Sequence, residues 1–271
     1  AEDFEDSYIG MRSAEWIENV PEDYPWHLFV SFVGPHSPFD PPSEYASRHR
    51  NTDVPDPVIS SKEGKPKYLE NSRLDMELEE VITARRQYCA SIELIDDQIG
   101  RIIDTLKKRD MMDNTYIIFT SDHGEMLGDH DLFGKVVPYE PSLHIPLIIA
   151  GPTIEGDRIS DAIVELIDIN PTVCDLAGVP KLENIDAISL EPILDGSSKN
   201  HRSDAVASLR GMRCIRTERY KYIENHNDID ELYDLLEDPG ETNNIIADHP
   251  DLVRDLKKRM IDRYLEGGGS R

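Results

Sequence analysis

The tetrapeptide Ser121-Asp122-His123-Gly124 concentrates chemistry-bearing side chains at one point of this chain. It follows an apolar run, Tyr116-Ile117-Ile118-Phe119, inside the stretch TYIIFTSDHGEMLGDHDLFGKVVPYEPSLHIPLIIAGP from Thr115 to Pro152. A carboxylate beside an imidazole suits a divalent cation such as Ca²⁺, Mg²⁺, Mn²⁺ or Zn²⁺. Neighbouring side chains on a regular strand point to opposite faces, so Asp122 and His123 share an ion only if the backbone turns there. Gly124 permits that turn. Ligands of open α/β sheets bind beyond the carboxyl ends of the strands, which is where the apolar run delivers this pair. Two ligands do not complete a coordination sphere, so others must come from elsewhere.

Three more positions qualify as partners in such a site. His36 ends a second apolar run, His27 to Val33 (HLFVSFV), in the turn Gly34-Pro35-His36-Ser37-Pro38. Its flanking prolines stiffen the frame. A rigid imidazole there can give a proton to a leaving oxygen or hold an anion. Lys135, after Gly134, can meet an anionic group as a point charge. His130 and Glu125 lie in the same loop, where ordinary loop hydrogen bonding competes with any functional role. No nucleophile stands out anywhere in the chain. Cys89, Cys174 and Cys214 are widely spaced, form no CxxC, and read as buried free thiols rather than as a zinc site.

The elements that must position these residues alternate between strand-like and helical patterns. Residues 1–26 are acidic, with Trp16 and Trp26 as anchors. Residues 39–72 are rich in Pro, Ser, Lys and Asp and read as a long surface excursion. Leu74 to Arg109 predicts a helix whose apolar stripe runs through Val81, Tyr88, Ile92, Ile95, Ile99, Ile102 and Leu106. Its other face carries Glu93, Asp96, Asp97, Arg101 and Lys108. Ile145 to Ala150 predicts another strand, and Ala162 to Ile167 a short one. Asn170-Pro171 reads as a helix start and Gly178 as its end. Alternating apolar strands and helices predict an α/β fold with a mixed, mostly parallel sheet flanked by helices. After Gly196-Ser197-Ser198, the segments Ala205–Leu209, Met212–Thr217, Lys221–Glu224 and Glu231–Leu235 predict a small antiparallel sheet. An amphipathic helix with Leu252, Val253, Leu256, Met260 and Tyr264 on one side follows, and the final GGGSR reads as a tail. The expected division is therefore 1–196 and 197–271.

Composition bounds the partners. The 271 residues carry a formal net charge of -25, with 38% hydrophobic and 31% charged residues. So acidic a chain is repelled by nucleic acid and by anionic membrane, and neither is expected as a partner. No run approaches the ~20 apolar residues that a membrane span needs. The first ten residues, AEDFEDSYIG, do not resemble a signal peptide, and the compartment stays open.

The run SDHGEMLGDH…GK…YEPSLHIPLIIAGP resembles the central motif of sulfatases in the alkaline-phosphatase-like superfamily. WHLFVSFVGPHSPFDPP, CASIELIDDQIGRIIDTL, ELIDINPTVCDLAGVP, RTERYKYI and ELYDLLEDPGETNNI agree with the same family, in its order. The resemblance covers nearly everything after Trp26. It implies a truncated alkaline-phosphatase-like α/β domain with a C-terminal antiparallel subdomain. It implies Asp122 and His123 as metal ligands, usually for Ca²⁺ (Mg²⁺ or Mn²⁺ also serve), Lys135 as the sulfate contact, and His36 beside the sulfate and leaving oxygen. His130 joins His36 and Lys135 as an expected substrate-binding residue.

The departure from that pattern is the missing C/S-x-P-S-R motif, whose Cys or Ser becomes formylglycine, together with the missing N-terminal Asp-Asp metal pair. The chain then reads as the C-terminal portion of a sulfuric ester hydrolase, inactive alone, with its nucleophile outside these residues. Its expected substrate is a small-molecule or glycan sulfate ester, and truncated surface is expected to favour a homo-oligomer. Two alternatives stand beside it: a phosphonate monoester or phosphodiester hydrolase of the same superfamily, and a non-catalytic sulfatase-like binding protein.

Overall fold

The computed structural model describes residues 3–61 and 63–266; the expected GGGSR tail lies outside them. The helices are α1 (Glu5–Asn19), α2 (Ser43–Arg48), α3 (Lys67–Ser72), α4 (Leu78–Lys108), α5 (Glu140–Leu143), α6 (Ile169–Ala177), α7 (Glu191–Leu194) and α8 (Pro250–Glu266). The strands are β1 (Ile117–Thr120), β2 (Leu147–Ala150), β3 (Asp204–Leu209), β4 (Met212–Thr217), β5 (Tyr220–Asn225) and β6 (Glu231–Asp234). The chain folds as two compact units, residues 1–57 with 75–115, and residues 58–74 with 116–271.

The first unit is built on α4, whose start is fixed by reciprocal hydrogen bonds between Glu77 and Glu80. Its buried positions are Val81, Ala90, Ser91, Leu94, Ile95, Gln98 and Leu106. The face is rotated from the expected stripe: Ile92 is 46% exposed. The rotation has a steric cause. Helix α1, which composition alone did not predict, packs on α4 through small residues, and a Cβ on Gly10 would lie 2.5 Å from Gln98 Cβ. Arg109, at the end of α4, donates to the carbonyls of Ile17 and Val20 at 2.7 and 2.8 Å and ties down the end of α1. The acidic side of α4 is not merely solvated. Glu93 pairs with Arg48 and His49, and Asp97 accepts the Tyr45 hydroxyl at 2.7 Å. Trp16 and Trp26 meet edge to face at 5.5 Å.

Residues 27–33 show the alternating exposure of a strand, yet they belong to none of the strands among the described residues. Side-chain alternation is local, whereas a ladder needs a neighbour with its N–H and C=O groups in register. Residues 162–167 likewise form only one bridge, Ile163 to Arg202.

In the second unit β1 and β2 pair antiparallel, Ile117 opposite Ala150 and Thr120 opposite Leu147. The expected mostly parallel pairing is thus not seen among the described strands. The other sheet is antiparallel in the order β3-β4-β5-β6, as expected. Alternate residues of its strands feed two cores. Ile215, Tyr222 and Leu232 meet Leu256 and Met260 of α8. Cys214, Ile223 and Tyr233 face Leu69, Met126, Leu132, Val137 and Tyr139. The second core joins residues from both sides of position 196, so this unit cuts across the expected 1–196 and 197–271 division. The 39–72 excursion also differs from expectation, because Ser60, Lys65 and Leu69 at its end are buried.

A second polar anchor lies at the start of α6. Asp168, fully buried, receives Arg202, His201 and the backbone N–H groups of Glu165 and Ile188. Burial pushes its carboxyl up, but the hydrogen bonds from Arg202, Ile188, Glu165 and His201 outweigh that and hold it below the usual range. A carboxyl with a depressed folded pKa contributes stability above its unfolded value, near 3.9, and loses it as pH falls through the folded one. Arg202→Ala is expected to cost about 3–5 kcal/mol in urea unfolding, because it strands a buried carboxylate. It should also flatten the acid side of the stability profile below pH ~4.

Candidate functional site

Beyond Thr120 the chain leaves β1 and is held against α5 by two backbone bonds. Gly124 N–H donates to Ser142 O at 2.8 Å and Glu125 N–H to Pro141 O at 2.9 Å. A Cβ on Gly124 would lie 1.9 Å from Pro141 O. Close backbone approach, more than turn freedom, demands glycine here.

This clamp fixes Asp122 and His123. The Asp122 side chain is exposed and that of His123 is one-third exposed. His123 N–H donates to Asp122 Oδ1 at 2.9 Å. His123 Nδ1 lies 2.9 Å from Gly124 O. A carbonyl only accepts, so Nδ1 carries the proton and Nε2 presents its lone pair. Nε2 stands 3.4 Å from Asp122 Oδ2. Two donors each roughly 2.1–2.5 Å from one ion, at about a right angle, are separated by about 3.0–3.5 Å. The pair therefore fits one edge of a coordination sphere. Among the described residues no group of three or more His, Cys, Asp or Glu gathers as a metal site.

Glu125 closes the same loop. Its carboxylate accepts the N–H of Gly134, and Met126 N–H donates to Gly134 O at 3.0 Å. The backbone at Gly134-Lys135 is thereby drawn beside the segment that follows His123, and Lys135 is half-buried. Loop hydrogen bonding accounts for Glu125.

His130 departs from its expected role as a substrate contact. It is 1% exposed, its Nδ1 lies 2.7 Å from Ser60 Oγ, and its ring packs 4.8 Å from that of Tyr139. Burial, then the charges of Lys65 and Arg73, push its pKa down to about 4. The imidazole is neutral and engaged in the core.

The His36 turn belongs to the first unit. His36 is exposed and its Nδ1 lies 2.7 Å from Ser37 O, which again places the proton on Nδ1. Asp6, 2% exposed, accepts the N–H groups of Val33 and Gly34 at 2.8 and 3.1 Å. A Cβ on Gly34 would sit 2.5 Å from Asp6 Oδ2. Sequence reading missed Asp6, whose partners lie 27 and 28 positions away.

A polar cluster is buried on the Tyr139 side of the four-stranded sheet. Lys65 Nζ reaches the Tyr233 hydroxyl and Glu241 O, both at 2.5 Å. Burial brings its pKa down to about 8 against the pull of Glu231 and Glu241. Glu231 accepts the hydroxyls of Tyr139 and Tyr233 at 2.5 and 2.6 Å. Lys221, fully buried, stands 2.7 Å from both Glu140 and Glu241, in ion pairs whose alignment falls outside hydrogen-bond geometry. The cysteines are free thiols. Burial pushes the Cys214 thiol up to about 11 and raises that of Cys89, the opposite of an activated nucleophile.

Comparison with known proteins gives these arrangements a setting. The family model described as Sulfatase matches residues 8–179, and the one described as N-sulphoglucosamine sulphohydrolase, C-terminal, matches residues 128–266. An arylsulfatase of Clostridium perfringens is 28% identical over 95% of this chain and 58% of its own length. The chain spans about half the length of the curated relatives it matches. A protein solved in complex with its substrate D-glucosamine-2-N,6-O-disulfate superposes with a TM-score of 0.90 at 24% identity, over 98% of this chain and 70% of that one. The phosphonate monoester hydrolase of Agrobacterium radiobacter superposes at 0.86 and 26% identity, over 98% and 61%. The fold is thus the alkaline-phosphatase-like α/β fold expected from the motifs.

Gly124→Ala is expected to destabilise the protein by roughly 1–3 kcal/mol, since backbone cannot yield as a flexible side chain does. Amide exchange at positions 124 and 125 should accelerate with it. Native-like exchange at both would mean that the clamp on α5 does not hold this loop.

Proposed function

The chain belongs to the sulfatase family, and from that premise we propose that the protein carrying it hydrolyses a sulfate monoester of a small molecule or glycan. The observation that carries the reading is the Asp122 Oδ2 and His123 Nε2 pair, 3.4 Å apart, with the proton held on Nδ1. These two residues are the proposed metal ligands, with Ca²⁺ the favoured ion over Mg²⁺ or Mn²⁺. A cation held by Asp122 and His123 would supply positive charge to the anionic ester. Lys135 adds a second positive charge to the anionic group. His36, with Nδ1 held by Ser37 O, is the proposed proton donor to the leaving oxygen, through Nε2.

The nucleophile is assigned to a formylglycine outside these 271 residues, because neither a C-x-P-S-R nor an S-x-P-S-R sequence occurs in them. The amino-sugar disulfate bound by the solved relative supports a sulfated glycan as substrate class. Among the described residues no helix is long and apolar enough to cross a membrane. We also propose self-association through exposed apolar cross-strand pairs such as Phe119 and Ile148, 38% and 62% exposed.

With the intact protein and Ca²⁺, kcat/KM for an aryl sulfate should exceed that for a phosphonate monoester. The reverse order would favour the phosphonate hydrolase reading, for which the Agrobacterium structure is the support. Asp122→Ala, His123→Ala and Lys135→Ala should each lower sulfate turnover on the order of 10²–10³-fold. Unchanged turnover in all three would remove the proposed site. Sedimentation of the isolated chain should show concentration-dependent association, and a strictly monomeric profile would count against that part.

A further inference from the structure

The Asp122-His123 loop rests on α5, and α5 rests on buried charge. Glu241, fully buried, accepts the backbone N–H of Glu140 at 2.7 Å. Lys221, also fully buried, bridges Glu241 Oε1 and Glu140 Oε1 at 2.7 Å each. The first residue of α5 is therefore held through its backbone by Glu241 and through its side chain by Lys221. The next two residues present the carbonyls that hold the ligand loop, Pro141 O to Glu125 N–H and Ser142 O to Gly124 N–H. With Pro141 O only 1.9 Å from a hypothetical Cβ on Gly124, a shift of α5 must be transmitted to the loop.

Charge accounting supports a designed anchor. Arg216 approaches Glu140 at 3.7 Å, so the buried Lys65 and Lys221 and the half-buried Arg216 stand against the half-buried Glu140 and the buried Glu231 and Glu241. Removing the Lys221 cation would leave two carboxylates close together without the charge between them, a cost that α5 can relieve by moving away.

We propose that Lys221 is a positioning residue for Asp122 and His123, acting through Glu140 and Glu241 on α5. Its bearing on catalysis rests on the metal-ligand reading of Asp122 and His123; its bearing on loop geometry does not. The chain of contacts runs from β5, ~100 residues later in sequence, to the loop after β1.

The test uses the intact protein with Lys221→Met, Lys221→Arg and the near-isosteric Glu241→Gln, read by amide exchange and by Ca²⁺ calorimetry. Lys221→Met should lose protection at Gly124 and Glu125 on the order of tenfold or more, while the β3–β4 amides keep theirs. Ca²⁺ affinity should fall with it by about 10–100-fold, as for other groups that orient ligands from behind. Lys221→Arg should restore most of both, since it returns the charge. Glu241→Gln should give a smaller loss in the same direction and decides the matter if Lys221→Met does not fold. Unchanged protection at positions 124 and 125 in a folded variant overturns the proposal. Lost protection in a protein whose unsubstituted form binds no Ca²⁺ would keep the positioning role and remove the metal-site reading instead.

Discussion

Buried charge beneath a loop is the constraint on which the candidate site depends. The loop from Ser121 to Tyr139 is almost without regular secondary structure, yet Gly124 and Glu125 donate to carbonyls of α5, and Met126 and Gly128 to the carbonyls of Gly134 and Leu132 farther along the loop. Helix α5 is a single turn and cannot hold its place by propensity. It is held by Lys221 and Glu241 from the antiparallel sheet and the segment after it. Desolvating such charges is expensive unless they are paired, so the arrangement tolerates little displacement of either partner. The loop that carries Asp122 and His123 rests, through α5, on an ion-paired floor.

The first unit uses the same physics on a smaller scale. Asp6 is buried and satisfied by the N–H groups of Val33 and Gly34, immediately before the His36 turn. In the first unit the approach of the Asp6 carboxylate to Gly34, and in the second that of the Pro141 carbonyl to Gly124, is too close for a Cβ, so each position requires glycine. Polar residues in the core here specify loop geometry, which apolar contacts alone would leave looser.

Much of the framework was legible in the amino-acid sequence. The long α4 and the strands β1, β3, β4, β5 and β6 all fall within a few residues of where periodicity places them, because those signals are local. The Asp122-His123 pair was visible because strand and turn residues adjoin it directly. The α4 face was misread at Ile92, since the choice between neighbouring stripes was made by the small-residue face of α1. Strand character at 27–33 was read correctly as alternation, but pairing depends on a neighbour that periodicity does not name. His130 looked available for substrate because loop position implies exposure; its burial against Tyr139 and Ser60 is set by segments about 10 and 70 residues away.

By itself the sequence determined the strand that leads into Asp122 and His123, the absence of a cysteine in a nucleophile motif and the antiparallel subdomain, since each is written within a few neighbouring positions. Only the tertiary structure decided which nitrogen of His123 faces Asp122, which histidine is spent in the core, and that Lys221 and Glu241 stand under α5, against which the Asp122-His123 loop rests. Those outcomes depend on distance and burial between residues far apart along the chain, and electrostatic cost changes steeply with both.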